Sequence, residues 1–272
     1  MANLGLNAAH GATSWAQFVL DHLSVSSVLL RSGARRIDVV GAQAHVPRVL
    51  SDGTATFVAE LATIPSSAPT GDDLILAPKK IANVVTLSNE SIGDSPIDEL
   101  DGVGNALVRA VATALDGRAF SASAATAVAF AGILSNTLPS QAGGVTIDNI
   151  LRAIGTVAVT GGVADAVFIA PTDLTALRLL KDTAGRPLLQ PDLQAGAAER
   201  IGGATLFPTP ALAAGTAIVA QANQVVVGIR KDAEVSFSPH AAWTSDGVVA
   251  RVVARLDVGI NDASGLVKVV TP

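Results

Sequence analysis

Cysteine and tyrosine are missing from this chain, and its other aromatic residues are only two tryptophans and seven phenylalanines. Without cysteine there is no disulfide, no thiolate zinc site and no thiol nucleophile. So few aromatic rings argue against a base-stacking platform for single-stranded nucleic acid. The net charge of −5 and the isoelectric point near 5.3 also argue against a dedicated nucleic-acid-binding protein.

Charged residues are scarce as well, at 15% of the 272 residues, whereas hydrophobic residues make up 49%. The longest nearly uncharged apolar stretch, residues 124–134, is too short and too rich in alanine to span a bilayer. Residues 1–15 lack the basic patch and long apolar core of a secretory signal. We therefore expect no membrane contact, and we expect the apolar excess to be buried against other protein chains, because obligate interfaces are more apolar than ordinary surface.

Recognisable catalytic chemistry is missing too. The sequence contains no phosphate-binding loop of the G-x-x-x-x-G-K-[ST] type and no G-x-S-x-G nucleophile elbow. The histidines lie far apart, without partners at metal-ligand spacing; they are His10, His22, His45 and His240. We predict no catalytic, cofactor or metal site, and the chain is interpreted as a protein that is not an enzyme.

The clearest element in the sequence is a long helix over residues 96–115. Ser95 is placed to cap it, Pro96 suits the first helical position and Asp98 completes a capping box. The spacing of small and apolar residues predicts one buried stripe: Ile97, Leu100, Gly104, Leu107, Val111 and Ala114, with Asp101, Asn105, Arg109 and Asp116 lying off it. A strand is predicted before it, over residues 74–88, followed by a tight turn over residues 89–94.

A β-hairpin is predicted upstream of that strand. Residues 43–51 and 54–61 read as strands on either side of Asp52-Gly53, a pair favoured in type I′ turns. An isolated two-stranded ribbon is marginally stable in water. The hairpin therefore needs support, either from its own domain or from a neighbouring subunit.

The rest of the chain divides at the Ser/Asn/Pro/Gly-rich residues 135–144. Beyond them we predict a helix over residues 147–157, a buried strand over 165–170 and a helix over 172–182 that is capped by Thr172 and turns Leu174, Leu177 and Leu180 inward. Strands follow at 225–229, 234–238 and 248–260, and the last alternates between a polar and an apolar side. Residues 1–30 read as an extended arm with a short amphipathic helix, or as an ordinary helix packed on its own domain.

Four segments, in this order, resemble the major capsid proteins of tailed double-stranded DNA bacteriophages. They are APKKIANVVTLSNESIGDSP, DAVFIAPTDLTALRLLKDTAGRPLLQP, the tetrapeptide Ile201-Gly202-Gly203-Ala204, and GIRKDAEVSFSPHAAWTSDGVVARVVARLDVGI with its two arginines in the last long strand. The resemblance covers roughly residues 31–265. Each motif is degenerate, and the shared order makes the match specific.

The resemblance implies an α+β chain with the Hong Kong ninety-seven capsid fold. Its expected parts are an N-terminal arm (residues 1–30), an extended β-hairpin loop (31–73), a peripheral domain with the long spine helix (74–135), an α/β axial domain (136–232), peripheral return strands forming a long sheet (233–257), and a C-terminal segment returning to the axial domain (258–272).

The resemblance also implies a structural function, namely self-assembly as pentamers and hexamers into the icosahedral shell around the phage DNA genome. Implied partners are a portal, a separate scaffold or decoration protein, and packaged DNA in non-specific contact. The implied location is the virion, after assembly in the host cytoplasm. Two alternatives stay open: an encapsulin-type compartment enclosing cargo enzymes, and an α/β enzyme with an unrecognised site.

Five residues are candidate subunit-interface residues: Arg35, Arg36, Arg48, Phe57 and Val58. The arginines are candidates for bidentate pairs with carboxylates of neighbouring subunits, although they could equally be solvated surface charges. Some relatives crosslink subunits through a lysine in the extended loop, but residues 31–78 contain no lysine. We therefore expect a shell held together without covalent bonds.

Overall fold

The structure is a computed structural model that describes residues 26–94, 99–182, 185, 188–189 and 199–271. Within them lie a four-stranded sheet, a six-stranded sheet and a two-stranded ribbon. The helices are α1 (Val28–Arg31), α2 (Asn89–Asp94), α3 (Glu99–Ala119), α4 (Ile147–Val159) and α5 (Pro171–Arg178). This mixture of helices and sheets confirms the predicted α+β class.

The four-stranded sheet contains the longest strands of the protein. Its order is β1 (Arg35–Asp38), β10 (Val225–Ala242), β11 (Gly247–Ile260) and β4 (Lys79–Ser88). Strand β1 runs parallel to β10, whereas β10, β11 and β4 are antiparallel neighbours. The alternation predicted for β11 is confirmed, because Val252, Ala254 and Leu256 are buried while Arg251 is exposed.

Helix α3 packs across one face of this sheet, on β4, β10 and β11. The long spine helix is therefore confirmed, although its predicted start at Ser95, Pro96 and Asp98 lies outside the described residues. Its buried face includes Leu107, Val108, Val111, Ala112, Leu115 and Ala119.

Two positions of the predicted helix stripe are wrong. Ala114 is exposed, and Asp116, which the pattern places outside the stripe, is buried. The carboxylate of Asp116 is buried because it accepts hydrogen bonds from the start of α1, a segment 87 to 89 positions away in sequence. A helical periodicity contains no information about such a distant partner.

The strand predicted over residues 74–88 is two strands, β3 (Thr70–Leu76) and β4, separated at Ala77-Pro78. Pro78 has no N–H, and the N–H of Ala77 donates to Asp257 Oδ2 at 2.5 Å instead of to a neighbouring strand. The predicted turn over residues 89–94 is also wrong, since these residues form helix α2.

The first strand of the predicted hairpin is confirmed, but the predicted two-residue turn at Asp52-Gly53 and the second strand are wrong. Strand β2 (Ala44–Ser51) pairs antiparallel with β3, from Ala44 opposite Leu76 to Ser51 opposite Thr70. Residues 54–61 form no strand. Their β-branched and aromatic composition favours a strand, but such a propensity depends on a surface to pack against, and in the single chain these residues are exposed.

The six-stranded sheet has the order β5 (Ser140–Ala142), β12 (Leu266–Val270), β9 (Thr216–Ala220), β6 (Ala166–Ile169), β8 (Ala204–Pro208) and β7 (Arg200–Ile201). Helices α4 and α5 bury one of its faces through Ile150, Val157 and Leu174, among others. The other face meets the end of α3, where the rings of Phe120 and Phe168 lie 4.8 Å apart.

The predicted helix over 147–157 and the predicted strand over 165–170 are confirmed as α4 and β6. The predicted cap of the next helix is wrong. Helix α5 begins at Pro171, and Ala170 precedes it without a side-chain cap. Leu174 and Leu177 are buried as predicted, whereas Leu180 lies beyond the end of the helix and is exposed.

Candidate subunit-interface surface

The ribbon formed by β2 and β3 lies on the four-stranded sheet, on the face opposite α3. Its underside buries Val46 and Leu76 against Val226. The ribbon can approach the sheet closely because two facing positions of the sheet are glycine. A Cβ at Gly259 would lie 2.9 Å from Leu76 Cδ2, and one at Gly228 would lie 3.1 Å from Leu76 Cδ1. The base of the ribbon is thereby held by its own chain.

Residues 52–69, which we call the extended loop, continue the ribbon beyond the sheet. Thr54 N donates to Ser67 Oγ at 2.9 Å, and a 2.6 Å hydrogen bond joins the hydroxyls of Ser51 and Thr70, so the two sides stay together. The loop carries large apolar side chains in solvent: Phe57 is 110% exposed, Leu61 101% and Ile64 79%. Large apolar side chains that a chain leaves in solvent in one segment are typical of a protein–protein contact.

Two predicted interface residues, Phe57 and Val58, lie in this loop and are exposed. A third predicted interface residue, Arg48, lies on β2 of the ribbon. Its Nη2 donates to Asp72 Oδ2 at 2.9 Å, and its Nη1 donates to the carbonyl of Ile260 at 3.4 Å. The hydrogen bond from Arg48 lowers the pKa of the Asp72 carboxyl below its usual value. Arg48 thus has a carboxylate partner within its own chain.

The other two candidates, Arg35 and Arg36, lie on β1 at the edge of the sheet, and both are exposed. Arg36 Nη2 donates to the carbonyl of Leu30 at 3.3 Å. Burial raises the pKa of the nearby Asp232 carboxyl, the charge of Asp38 raises it further, and the charge of Arg36 opposes both. The structure therefore does not bring the five candidates together in one cluster.

Sequence reasoning missed two buried carboxylates that hold segments in place. Asp116 accepts from Ser27 Oγ at 2.6 Å and from Val28 N at 2.8 Å, which fixes the start of α1. Asp257 accepts from Ala77 N at the base of the ribbon and from Val258 N at 2.8 Å. Burial raises the pKa of both carboxyls, although these hydrogen bonds lower it in part. No local motif marks either residue.

Within the described part of the chain, no group of three or more histidine, aspartate or glutamate side chains could hold a metal ion. In the same residues no helix is long and apolar enough to cross a membrane. The described residues also present an exposed apolar loop on the ribbon and two sheets with open edges. Such surfaces suit contacts between protein chains.

The sequence matches the phage capsid family over residues 13–271. The chain belongs to the phage capsid family. This capsid protein is also similar in structure to chains described as "Mycobacterium phage Adephagia" (TM-score 0.73, 18% identity) and "Mycobacterium phage Bobi" (TM-score 0.72, 20% identity), with 90% of both chains covered in each case. A comparison with curated protein sequences finds no match.

A third similar structure is described as "Capsid of native GTA particle computed with C5 symmetry" (TM-score 0.72, 18% identity, 90% of both chains). At this identity the likeness shows the fold, and the family match shows the role. The predicted Hong Kong ninety-seven-type fold and the capsid shell role are confirmed. The protein is a structural component of the virion, and the encapsulin alternative is not favoured.

Proposed function

We propose that this capsid protein self-assembles, as pentamers and hexamers, into a closed icosahedral shell around double-stranded DNA. The observation that carries the proposal is the extended loop, whose Phe57, Leu61 and Ile64 side chains are left in solvent by their own chain. Burying apolar surface is worth about 25 cal/mol per Å², and a shell repeats that gain at every copy.

We assign a role to each segment of the chain according to the organisation expected for the family. Residues 1–30 act as the arm, 31–73 as the extended-loop segment, 74–135 and 233–257 as the peripheral domain, and 136–232 with 258–272 as the axial domain. A closed shell built from one chain needs contacts that adapt to different neighbours, and loops are the segments able to adapt. Exposed Arg35 and Arg36 are proposed as donors to carboxylates of adjacent subunits.

The remaining partners belong to the same proposal. We propose assembly in the host cytoplasm, a portal at one vertex, a separate scaffold or decoration protein, and non-specific contact with packaged DNA. The sequence of this chain supports the DNA contact only as a weak one, because its net charge is negative.

The test is assembly of the purified chain, followed by light scattering and electron microscopy. Closed particles are the expected result, and a chain that stays a monomer or dimer under all assembly conditions contradicts the proposal. The double variant Phe57→Ser/Val58→Ser should lose particle formation while its isolated subunit keeps the wild-type urea midpoint.

A matched control is Val159→Ser, which removes another exposed apolar side chain, at the end of α4 and outside the extended-loop segment. It should assemble normally. If instead the loop variant assembled normally and its subunit unfolded, the loop would be part of a domain core.

A further inference from the structure

A cleft of about 360 Å³ opens beside the base of the ribbon. One wall is the end of β11, whose residues 257–260 continue past the last pair with β4, Lys79 opposite Leu256. The other walls are the ribbon and parts of residues 125–136, which lie between α3 and β5. Clefts that hold small molecules in proteins have volumes of roughly 300–1,000 Å³, so this cleft is large enough for a small ligand.

Arg48 brings an unused hydrogen-bond donor to the cleft. From the ribbon, its Nη2 donates to Asp72 Oδ2 at 2.9 Å, and its Nη1 donates to the carbonyls of Ile260 and Asn261 at 3.4 and 3.5 Å. Its Nε is buried and has no hydrogen-bond partner among the described residues. A buried donor that makes no hydrogen bond costs free energy, so an acceptor placed in the cleft would relieve that cost.

Lys79 supplies a second positive charge. Its side chain lines the cleft, and its Nζ donates to the carbonyl of Ala127 at 3.2 Å. None of the ion pairs formed by the described residues involves Lys79. A lysine ammonium has three N–H donors, and this carbonyl takes one of them. The cleft therefore presents two cations that both retain donors for a ligand.

The carboxylates around the cleft restrict the charge of that ligand. Asp72 is paired with Arg48, and buried Asp257 accepts hydrogen bonds from Ala77 N and Val258 N. These two negative charges nearly balance the two cations, so a dianion such as phosphate, or the phosphate backbone of DNA, is disfavoured. A single carboxylate is the better match, because a guanidinium donates strong hydrogen bonds to carboxylate oxygens.

We propose that this cleft binds one carboxylate group, which accepts a hydrogen bond from Arg48 Nε and lies beside Lys79 Nζ. The hydrocarbon part of the ligand contacts Leu74 and Phe130, which also line the cleft. Because Arg48 belongs to the ribbon and Lys79 contacts Ala127, the bound group joins the ribbon to residues 125–136. The carboxylate comes either from a small free acid or from an acidic side chain of a polypeptide. The site belongs to the single chain and does not depend on assembly.

The test is a titration of the unassembled chain, observed through the arginine Nε–H signals of its nuclear magnetic resonance spectrum. The probes are acetate, as a small free acid, and N-acetylglutamate N-methylamide, as an acidic side chain in a polypeptide. The Arg48 signal, identified by its loss in Arg48→Lys, should shift to saturation at millimolar probe concentrations, with ionic strength held constant by sodium chloride. N-acetylglutamine N-methylamide, which has no charge, should leave the signal unchanged.

Two substitutions separate this site from general effects of charge. Arg48→Lys keeps the charge but removes the Nε–H, and it should weaken binding about tenfold through loss of one charge-assisted hydrogen bond. Lys79→Gln should weaken binding about threefold. The rise of the thermal unfolding midpoint with added probe measures both effects, since a ligand that binds only the folded chain stabilises it. Lys80→Gln is the matched control, because Lys80 is the next cation of β4, is exposed and lies outside the cleft lining. It should bind as the wild type does.

A second pair of variants keeps every charge in place. Ala125 lines the cleft, and Ala125→Leu should weaken binding about tenfold by occupying part of the cleft volume. Ala122 is an exposed alanine of the same segment that lies outside the lining, so Ala122→Leu should bind as the wild type does. This pair decides the question even if Arg48→Lys does not fold.

The two probes distinguish the sources of the carboxylate. Tighter binding of the glutamate compound assigns the site to a polypeptide side chain, whereas equal or tighter binding of acetate assigns it to a small free acid. The proposal is overturned if neither probe shifts the Arg48 signal, or if chloride and phosphate shift it equally. Equal weakening by Lys79→Gln and Lys80→Gln also overturns it. A chain that binds a carboxylate but forms no particles contradicts only the self-assembly proposal.

Discussion

Ser27 Oγ donates to Asp116 Oδ1 at 2.6 Å, and this hydrogen bond joins residues 89 positions apart. Val28 N and Leu29 N donate to the same carboxylate at 2.8 and 3.3 Å. Asp116 is only 6% exposed and Ser27 is fully buried. The last turn of the spine helix therefore holds the start of α1.

Replacing Asp116 with alanine should destabilise the isolated subunit by about 2 kcal/mol, because it leaves buried donors without acceptors. Part of that loss is offset, because the variant no longer buries the charged carboxylate of Asp116, which costs free energy. Urea unfolding checks the value. The exposed Asp52→Ala variant should stay within about 0.5 kcal/mol of the wild type, and an equally small effect of Asp116→Ala would show that the carboxylate does not hold α1.

Two glycine-to-alanine substitutions should act in opposite directions. At Gly104 in α3 an added Cβ meets no atom within 4 Å, so Gly104→Ala should stabilise the subunit by about 0.5–1 kcal/mol through helix propensity. At Gly259 the added Cβ would lie 2.9 Å from Leu76 Cδ2, so Gly259→Ala should destabilise it by about 1–3 kcal/mol through overpacking.

Thermal unfolding of the two variants beside the wild type gives the comparison. Equal shifts of both midpoints would show that the ribbon does not pack on Gly259 in solution.

The Arg48–Asp72 ion pair should lower the pH at which the Asp72 carboxyl titrates. The hydrogen bond from Arg48 lowers the pKa of Asp72 below its ordinary value of 3.8. Since this folded pKa is lower than the unfolded one, the contribution of the pair is complete above pH 3.8 and is lost as the pH falls through the folded pKa. Carboxyl chemical shifts of the soluble subunit should show a midpoint below 3.8.

In the Arg48→Gln variant that midpoint should return toward the ordinary value, because the cation has been removed. An Asp72 midpoint that is unchanged between wild type and variant would mean that the ion pair does not form in solution.

The shell should contain no covalent crosslinks. The chain has no cysteine, and residues 31–78 have no lysine, so the extended-loop segment lacks the amine for an isopeptide bond and the thiol for a disulfide. Particles assembled from a chain of this sequence, boiled in detergent and run on a denaturing gel, should give a band near 27.3 kDa. A ladder of oligomers that resists reductant would contradict this expectation.

The periodicity of apolar residues in the sequence predicts most of the local structure. The spacing of Leu107, Val111 and Leu115 predicted the spine helix, and the alternation through Val252 and Leu256 predicted β11. Both patterns express which side of one element is buried, and that side is set by residues a few positions apart. The subunit-interface role of Phe57 and Val58 stays a prediction, and the structure leaves both side chains exposed in the single chain.

The pairing of distant segments was not readable in this way. The sequence by itself determined helices α3, α4 and α5, strands β6 and β11 and the absence of thiol chemistry, because each depends on residue type and short-range spacing. Only the tertiary structure decided that β2 pairs with β3 rather than with residues 54–61, that Ala77 donates to Asp257 and ends a strand, and that Asp116 is buried. These outcomes depend on partners up to 180 positions away in sequence. A local sequence pattern does not indicate which distant residues will form hydrogen bonds with a segment or bury it.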